Sequence, residues 1–417
     1  MDSETITTFF QNLKRVYSDG IKNSVNQKAP IYRMLKDAGG DVTIGGEGLF
    51  WDARLGRSAQ AAFIAEGAAL APGTTSREFQ GSVTSQEIYA QIELTKKLMN
   101  RAKTDQDSFV RAFAKKADEA RLSLQEQLGR AIVGNVNPTL GAGVTGVIGQ
   151  VGAYGAPTVT MSNGFAGQLR EQMMISWGAV GGTATGSGTV TTVTGVTTFT
   201  VAVVAGIPPA ANDYIWAGSA TFNSYNQEWV GLYQIVANSG TLFGINPAVY
   251  PAWTAFVDTQ GGIATPFQDE RLDSLLYGIE ARSGKYATII AMHYSTRLEM
   301  KAKMQQDVRY EPQVFRGGFK GNLQVWNNGD VDVAITQDNF VHPGDIFAIC
   351  GEDIKIGKSA DMGWLDDEVG GKFIRKTGTA TYEAGYGCDG NMVCFQRNSH
   401  GLLRNVDYDA NTVQFAS

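Results

Sequence analysis

The stretch 103–135, KTDQDSFVRAFAKKADEARLSLQEQLGRAIVGN, decides how the rest of the chain is read. Thr104 with Asp107 three residues on makes a capping-box-like start, and Phe109, Phe113, Ala117, Ala120, Leu124, Leu128 and Ile132 recur at steps of three and four. One face is apolar. Lys115, Lys116, Asp118, Glu119, Arg121 and Glu126 fall largely elsewhere, and Gly134-Asn135 followed by Pro138 ends the pattern. The spacing predicts a helix over 104–133, and about 28 residues at roughly 1.5 Å each give a rod on the order of 42 Å long. Taken alone, such a helix also suits the core of an ordinary domain, so its neighbours carry the argument.

What precedes it is unusual. Residues 41–80 are dominated by Gly, Ala, Ser and Thr and contain no lysine, with Leu49, Phe50, Trp51, Phe63, Ile64 and Leu70 scattered among them. The segment shows no clear periodicity and is expected to lack a core of its own, while its aromatic residues argue against free disorder. It is expected to pack on something else, another subunit being the natural support. From Arg77 to Met99 the even spacing of Phe79, Val83, Ile88, Ala90, Ile92 and Leu94 reads as strand leading into the helix.

The later chain alternates element types. A helix is expected over 165–177 and another over 267–282, the latter with Leu272, Leu275, Leu276 and Ile279 on its apolar face and Gly284 at its end. KYATIIAM reads as a buried strand, 295–306 as a further helix, and GDVDVAITQDNFVHPGDIFAICGEDIKI as later strands. Between residues 181 and 262 the composition turns to Gly, Thr and Val, with GTVTTVTGVTTFTVAVV, DYIWAG, EWVGLYQIV and TLFGIN as short strands. This is a β-rich module, a small barrel or sandwich; an independent carbohydrate-binding module is the alternative reading. The irregular mixture of helices and strands indicates an α+β fold.

In its order of elements the chain resembles the major capsid proteins of tailed bacteriophages. The resemblance rests on an N-terminal helical arm, an extended loop, the run EFQGSVTSQEIYAQIELTKKLMNRAKTDQDSFVRAFAKKADEA and the Gly-rich exit GNVNPTLGAGVTGVIG. The fold it implies is the one named after coliphage Hong Kong ninety-seven. On that reading 1–40 is the N-arm, 41–80 the E-loop, and 81–160 the P-domain with its spine helix at 104–133. Residues 161–180 are the first part of the A-domain, 181–262 an inserted β-domain and 263–360 the second part. The end, 361–417, returns to the P-domain. The resemblance further implies a shell of hexamers and pentamers around packaged double-stranded DNA, with a portal and scaffolding or decoration proteins as partners. It places the chain in the virion, assembled in a host cytoplasm. Encapsulin-like compartment proteins share the fold and are the nearest alternative; a β-rich tail or surface-binding protein is the next. Some relatives join a loop lysine to an asparagine on a neighbouring subunit, but residues 41–80 hold neither Lys nor Asn.

Bulk properties agree. The 417 residues allow two or three domains, 18% charged residues is low, 50 glycines is high, and a net charge of −6 disfavours a dedicated nucleic-acid binder. No stretch has a signal-peptide core or membrane-spanning length, and three cysteines fit a reducing compartment.

No catalytic, cofactor or metal site is expected. Cys388, Cys394 and His400 are spaced by six, about 20 Å on one extended strand, which is too far to share a metal. His293, His342 and His400 show no HExxH, and no Ser lies in GxSxG. Gly357-Lys358-Ser359 lacks the glycine that a phosphate-cradling loop needs at 352, where Glu352 stands. Gly141, Gly143 and Gly146 match GxGxxG but follow a helix rather than a strand. Asp366, Asp367 and Glu368 read as a solvated loop rather than a cation site. The expected functional residues are instead contacts between subunits: Phe50, Trp51, Phe63 and Ile64 as apolar anchors, with Arg54 and Arg57 pairing acids across the contact.

Overall fold

The computed structural model describes residues 30–56, 63, 77–96, 106–134, 144–179, 181, 183–219, 224–307, 325–327, 332–365, 374–375, 378 and 381–415. Helix α1 (Pro30–Gly39) leads to strands β1 (Asp41–Thr43), β2 (Leu49–Gly56), β3 (Arg77–Val83) and β4 (Gln86–Thr95), then to the long helix α2 (Gln106–Val133). Strands β5 (Val147–Gly155), β6 (Thr158–Gly164), β7 (Met174–Gly178), β8 (Gly186–Val193), β9 (Thr198–Gly206) and β10 (Tyr214–Ala217) follow. The short helix α3 (Leu232–Ile235) precedes β11 (Phe256–Asp258), α4 (Asp269–Ser283), β12 (Ile289–Met292) and α5 (Tyr294–Asp307). The chain closes with β13 (Val325–Asn327), β14 (Asp332–Gln337), β15 (Ile346–Ile349), β16 (Ile354–Trp364), β17 (Ile374–Arg375), β18 (Thr381–Cys394) and β19 (Gly401–Leu403).

Helix α2 has 28 residues and ends, as the sequence predicts, at Gly134 with φ +80°. Ala117, Ala120, Leu124, Leu128 and Ile132 are all buried, so the stripe read at that spacing faces the core; the side chains of Phe109 and Phe113 lie outside the described residues. The helix lies against β4 and β18. These belong to a sheet in which β1, β16, β18 and β17 are ordered in that sequence and β4 pairs with β18 through ten residues, from Gln86 opposite Gly390 to Thr95 opposite Thr381. The final long strand therefore returns to the strand that enters the helix.

A second sheet has the order β11-β19-β15-β12-β14-β13. Its central strands are apolar at every position because both faces are covered. Ile289, Ala291, Phe347 and Ile349 point into the largest core. Ile290, Met292, Ile346 and Ala348 point into a second core with Leu272, Leu275, Leu276 and Ile279 of α4. Helix α4 ends at Gly284 in the left-handed conformation, as expected from its sequence.

The β-rich module departs from the sequence reading. It is a closed barrel ordered β10-β5-β6-β9-β8-β7, occupying 147–217 rather than 181–262. Residues 165–177 are not a helix: they form a 3₁₀ turn at Ala166–Gln168 and strand β7. Phe165, Leu169, Met173 and Trp177 recur every four residues and imitate a helical stripe, yet each is buried from a loop or strand, three of them in the barrel core. Strands β5 and β6 escape the apolar-alternation test because Gly149, Gly152 and Gly164 stand where the two backbones come together. A Cβ on Gly164 would lie 2.6 Å from Gly149 Cα. The runs EWVGLYQIV and TLFGIN are not barrel strands either: Trp229, Leu232, Tyr233, Ile235, Leu242 and Phe243 fill the largest core. Within 41–80, where strand was expected only from Arg77 onward, the chain also forms β1 and β2.

Helices α2 and α3 meet backbone to backbone. A Cβ on Gly231 would stand 2.3 Å from Gly134 Cα and 2.8 Å from Ala131 O, neither of which can rotate away. Gly231→Ala should therefore destabilise the protein by about 1–3 kcal/mol, whereas Gly46→Ala, with nothing within 4 Å of the new methyl, should leave the denaturant midpoint unchanged. Equal midpoints for both variants would contradict the close approach.

Candidate assembly surfaces

Strands β2 and β3 form a two-stranded ribbon of their own, from Leu49 opposite Val83 to Gly56 opposite Arg77. A ribbon this small is marginal alone, and its base shows what holds it. Trp51 lies across Gly81, where any Cβ would come within 2.6 Å of the indole. The ring meets Phe243 at 5.2 Å and Phe395 at 5.5 Å, both edge-on. Phe79 tilts against Tyr250 at 5.7 Å, and Ser82 N donates to Phe243 O. The ribbon is thus anchored on the loop between α3 and β11. Trp51, expected to need a neighbouring subunit for burial, finds it within its own chain, which corrects the expectation that the arm lacks internal support.

Phe50, on the opposite face of the same strand, is 50% exposed, and Phe63 is fully exposed. The side chain of Arg54, and Arg57 and Ile64 entirely, lie outside the described residues. Of the six expected contacts, the structure brings Trp51 to the core and leaves Phe50 and Phe63 facing outward.

The loop under the ribbon is held by a residue that sequence reading passed over. Arg397 is fully buried and donates to five carbonyls: those of Ile235, Gln234, Ser239, Gly240 and Trp253. Burial lowers its pKa to about 10, so it stays cationic at neutral pH, with carbonyl dipoles in place of water. The signal was present in the sequence: a lone Arg between NMVCFQ and NSHGLL is a charge the fold must satisfy.

A cleft of about 900 Å³ opens between α2, β4 and the barrel, with Tyr89, Gln91, Lys116, Arg130, Arg170 and Met174 on its walls. Its basic groups are paired: Lys116 with Glu119 at 2.8 Å, Arg170 with Glu126 at 2.6 Å, and Arg130 with Glu228. Among the described residues the cleft offers a phosphate no cation that is not already against a carboxylate.

Titratable groups cluster in the interior. Tyr233 Oη donates to Asp345 Oδ2 at 2.7 Å, and Arg404 reaches the same carboxylate at 3.2 Å. Cys394 Sγ lies 3.4 Å from His400 Nε2, while Cys350 N donates to His400 Nδ1. The turn Arg397–Ser399 folds the chain back, so the separation of about 20 Å expected for an extended strand does not hold for this pair. The pair is nonetheless not primed for nucleophilic chemistry. Burial raises the Cys394 thiol and lowers His400 to about 4, opposite to what a thiolate with an imidazolium requires. His293 is likewise lowered to about 4 by burial. Among the described residues no three His, Cys, Asp or Glu side chains are placed to hold a metal ion. Gly357, Lys358 and Ser359 sit within β16, with a Cβ on Gly357 only 2.6 Å from Ile44, so they form no phosphate loop. Gly146 stands at φ +79° in the turn into β5, Gly141 and Gly143 fall outside the described residues, and so do Asp366, Asp367 and Glu368. No described helix is long and apolar enough to cross a membrane.

No protein-family model and no curated protein matches the chain. Solved structures do. A subunit of the cyanophage A-1(L) capsid asymmetric unit matches with a TM-score of 0.57 and 12% identity, over 91% of this chain and 93% of that one. Gordonia phage Cozz matches at 8% identity and a TM-score of 0.43, over 90% of this chain and 87% of that one. The capsid of a native gene transfer agent particle (GTA) matches at 10% identity and a TM-score of 0.42, over 90% of each chain. The cyanophage subunit carries the likeness: this chain has the fold of a phage capsid subunit along about nine-tenths of its length.

Two expectations follow from the site. Trp51→Ala should cost about 2 kcal/mol, since a half-buried indole is lost, and hydrogen exchange should speed up selectively in 49–56 and 77–83 while β18 stays protected. Uniform exchange change would mean that Trp51 does not anchor the ribbon. The second concerns Asp338, whose buried carboxyl is raised from 3.8 to about 7 by desolvation, against one hydrogen bond from Phe340 N. The fold holds this proton more tightly than the unfolded chain, so the stabilising effect is full below the unfolded value and is lost as pH rises towards about 7. Asp338→Asn should therefore gain melting temperature over the wild type at pH 8 relative to pH 5. A difference that does not vary with pH would show that Asp338 is not held protonated.

Proposed function

We propose that this chain is the major capsid protein of a tailed bacteriophage, a non-enzymatic subunit that assembles into hexamers and pentamers of an icosahedral shell around double-stranded DNA. The observation that carries this reading is the match to a phage capsid subunit over nine-tenths of both chains, at only 12% identity. On this reading the fold is of the Hong Kong ninety-seven type. Helix α2 is the spine of a P-domain completed by β4, β16 and β18, and the sheet carrying α4 and α5 is the A-domain. The ribbon β2–β3 with the segment between its strands is the E-loop, and the barrel is an inserted domain. The site of action is the virion, with assembly in a host cytoplasm and a portal and scaffolding or decoration proteins as partners.

Mechanism on this reading is packing geometry. The ribbon is fixed at its root by Trp51 and offers Phe50 to an adjacent subunit, with Phe63 exposed beyond it; Arg54, Arg57 and Ile64 are the further contacts of this reading. With net charge −6 the inner surface lines packaged DNA without gripping it, so contact with duplex is non-specific and weakened by salt.

The expressed chain should form closed shells visible by negative-stain microscopy. Phe50→Ser combined with Phe63→Ser should abolish them at only a small cost in melting temperature, because Phe63 is fully exposed and Phe50 half-exposed in the subunit. Small discrete oligomers from the wild type would overturn the capsid reading. Because residues 41–80 hold neither Lys nor Asn, no loop isopeptide should form, and mature particles boiled in detergent and reductant should run as one band near 44.8 kDa. A ladder of covalent oligomers would contradict this.

A further inference from the structure

Strand β9 leaves the barrel partway along its length. Thr198, Phe199 and Thr200 pair with Thr160, Val159 and Thr158 of β6, and the last contact on that side is Val201 N donating to Pro157 O in the turn before β6. On its other side β9 stays paired with β8 as far as Gly206 opposite Gly186. From Ala202 to Gly206 the strand therefore has one hydrogen-bonded edge and one edge with no strand against it among the described residues. Burial breaks at the same place. Phe199 and Val201 are buried in alternation, whereas every residue from Ala202 to Pro208 is exposed, Val204 at 65% and Ile207 at 68%.

Open strand edges in soluble monomers are blunted by lysine or by inward-pointing charge. This one is not. No charged residue stands between Glu171 and Asp213, and Pro208 and Pro209 alone bound the edge. Five residues of free backbone, flanked by Val203, Val204 and Ile207, make a short apolar strip of unpaired N–H and C=O groups.

The chemistry of the strip selects its partner. Nucleic acid finds no cation on it, and a charged protein surface would lose hydration there with no counter-charge in return. A second copy of the same chain suits it on two grounds. The subunit carries −6 overall, so most approaches of one copy to another meet like charge, and an uncharged strip removes that cost. Two identical edges laid antiparallel about a two-fold axis also present complementary donors and acceptors. We propose that the overhanging edge Ala202–Gly206 of the barrel pairs antiparallel with the same edge of a second copy of this chain, with Val204 near the two-fold and Ile207 flanking it. Five residues make a weak contact singly, and many copies on one assembly make it count.

Cysteine scanning of the full-length chain tests this. The native Cys350, Cys388 and Cys394 are buried, so introduced thiols report alone. Ala202→Cys, Val203→Cys, Val204→Cys and Ala205→Cys are oxidised mildly and run without reductant, with Val249→Cys as an exposed control away from the barrel. A disulfide-linked dimer is expected from at least one of the four, since paired residues at a two-fold come within disulfide reach, and little from the control. Val204→Lys should retain the wild-type melting curve and self-associate at least tenfold more weakly in sedimentation. No dimer at any of the four positions, dimer equally at Val249→Cys, or unchanged association of Val204→Lys with a normal melt would each overturn the pairing. Its failure is distinct from failure of the capsid reading: shells without the disulfide sink the pairing alone, and dimers from a chain that builds no shell sink only the shell.

Discussion

The fold turns on one buried cation. Arg397 is fully buried, and five backbone carbonyls from 234 to 253 accept hydrogen bonds from its guanidinium. Each bond satisfies a buried guanidinium N–H, and those to Gln234, Ile235 and Trp253 also satisfy carbonyls of buried residues, so the arginine depends on the loop and steadies it. That loop is the platform for Phe243 and Tyr250, hence for Trp51 and Phe79, hence for the ribbon. Its start is α3, whose N-cap Gly231 abuts the end of α2. This region ties the projecting ribbon to the end of the long helix, which itself lies directly against β4 and β18.

Charge is distributed unevenly along the molecule, and this bears on how copies meet. Acidic and basic side chains decorate α2, α4 and β16, where several form exposed or half-exposed pairs worth little each. The barrel carries almost none. A surface without charge is poorly hydrated and poorly repelled, which suits contact with an identical surface more than exposure on a lone subunit. The ribbon offers a second outward apolar feature in Phe50 and Phe63. The two lie on separate structural modules, one a two-stranded ribbon rooted on the core and one a barrel.

The interior polar groups are structural in character. His293 and His400 are held neutral by burial, and the thiols of Cys388 and Cys394 are held protonated. Asp345 is matched by Tyr233 and Arg404. These arrangements fix one packing of the sheet against its neighbours, and none gathers a reactive group with an open approach.

The sequence by itself determined α2, α4 and α5, the buried strand β12, the strands leading into α2 and the return of the last long strand. In α2 and α4 the apolar spacing matches the face that each buries, and a glycine in the left-handed conformation marks where each stops; α5 instead buries Ser295 and Thr296 beside Met300, and the return of the last strand was legible only through the resemblance in the order of elements. The opposite placements of Phe50 and Trp51 were not legible, because the strand that puts them on alternate faces is defined only by its pairing with β3. What only the tertiary structure decided depends on distant partners. The barrel's true extent rests on pairing of β5 and β6, whose glycines allow backbone contact and so erase the apolar alternation that marks other strands. The spacing of Phe165, Leu169, Met173 and Trp177 fits a helix and a buried loop equally, and only the neighbours available to those side chains distinguish them. The Trp51 ring packs on, and Arg397 is hydrogen-bonded by, groups roughly two hundred and one hundred and fifty residues away. A contact of that range is fixed by the assembled core and leaves no periodic trace in the local sequence.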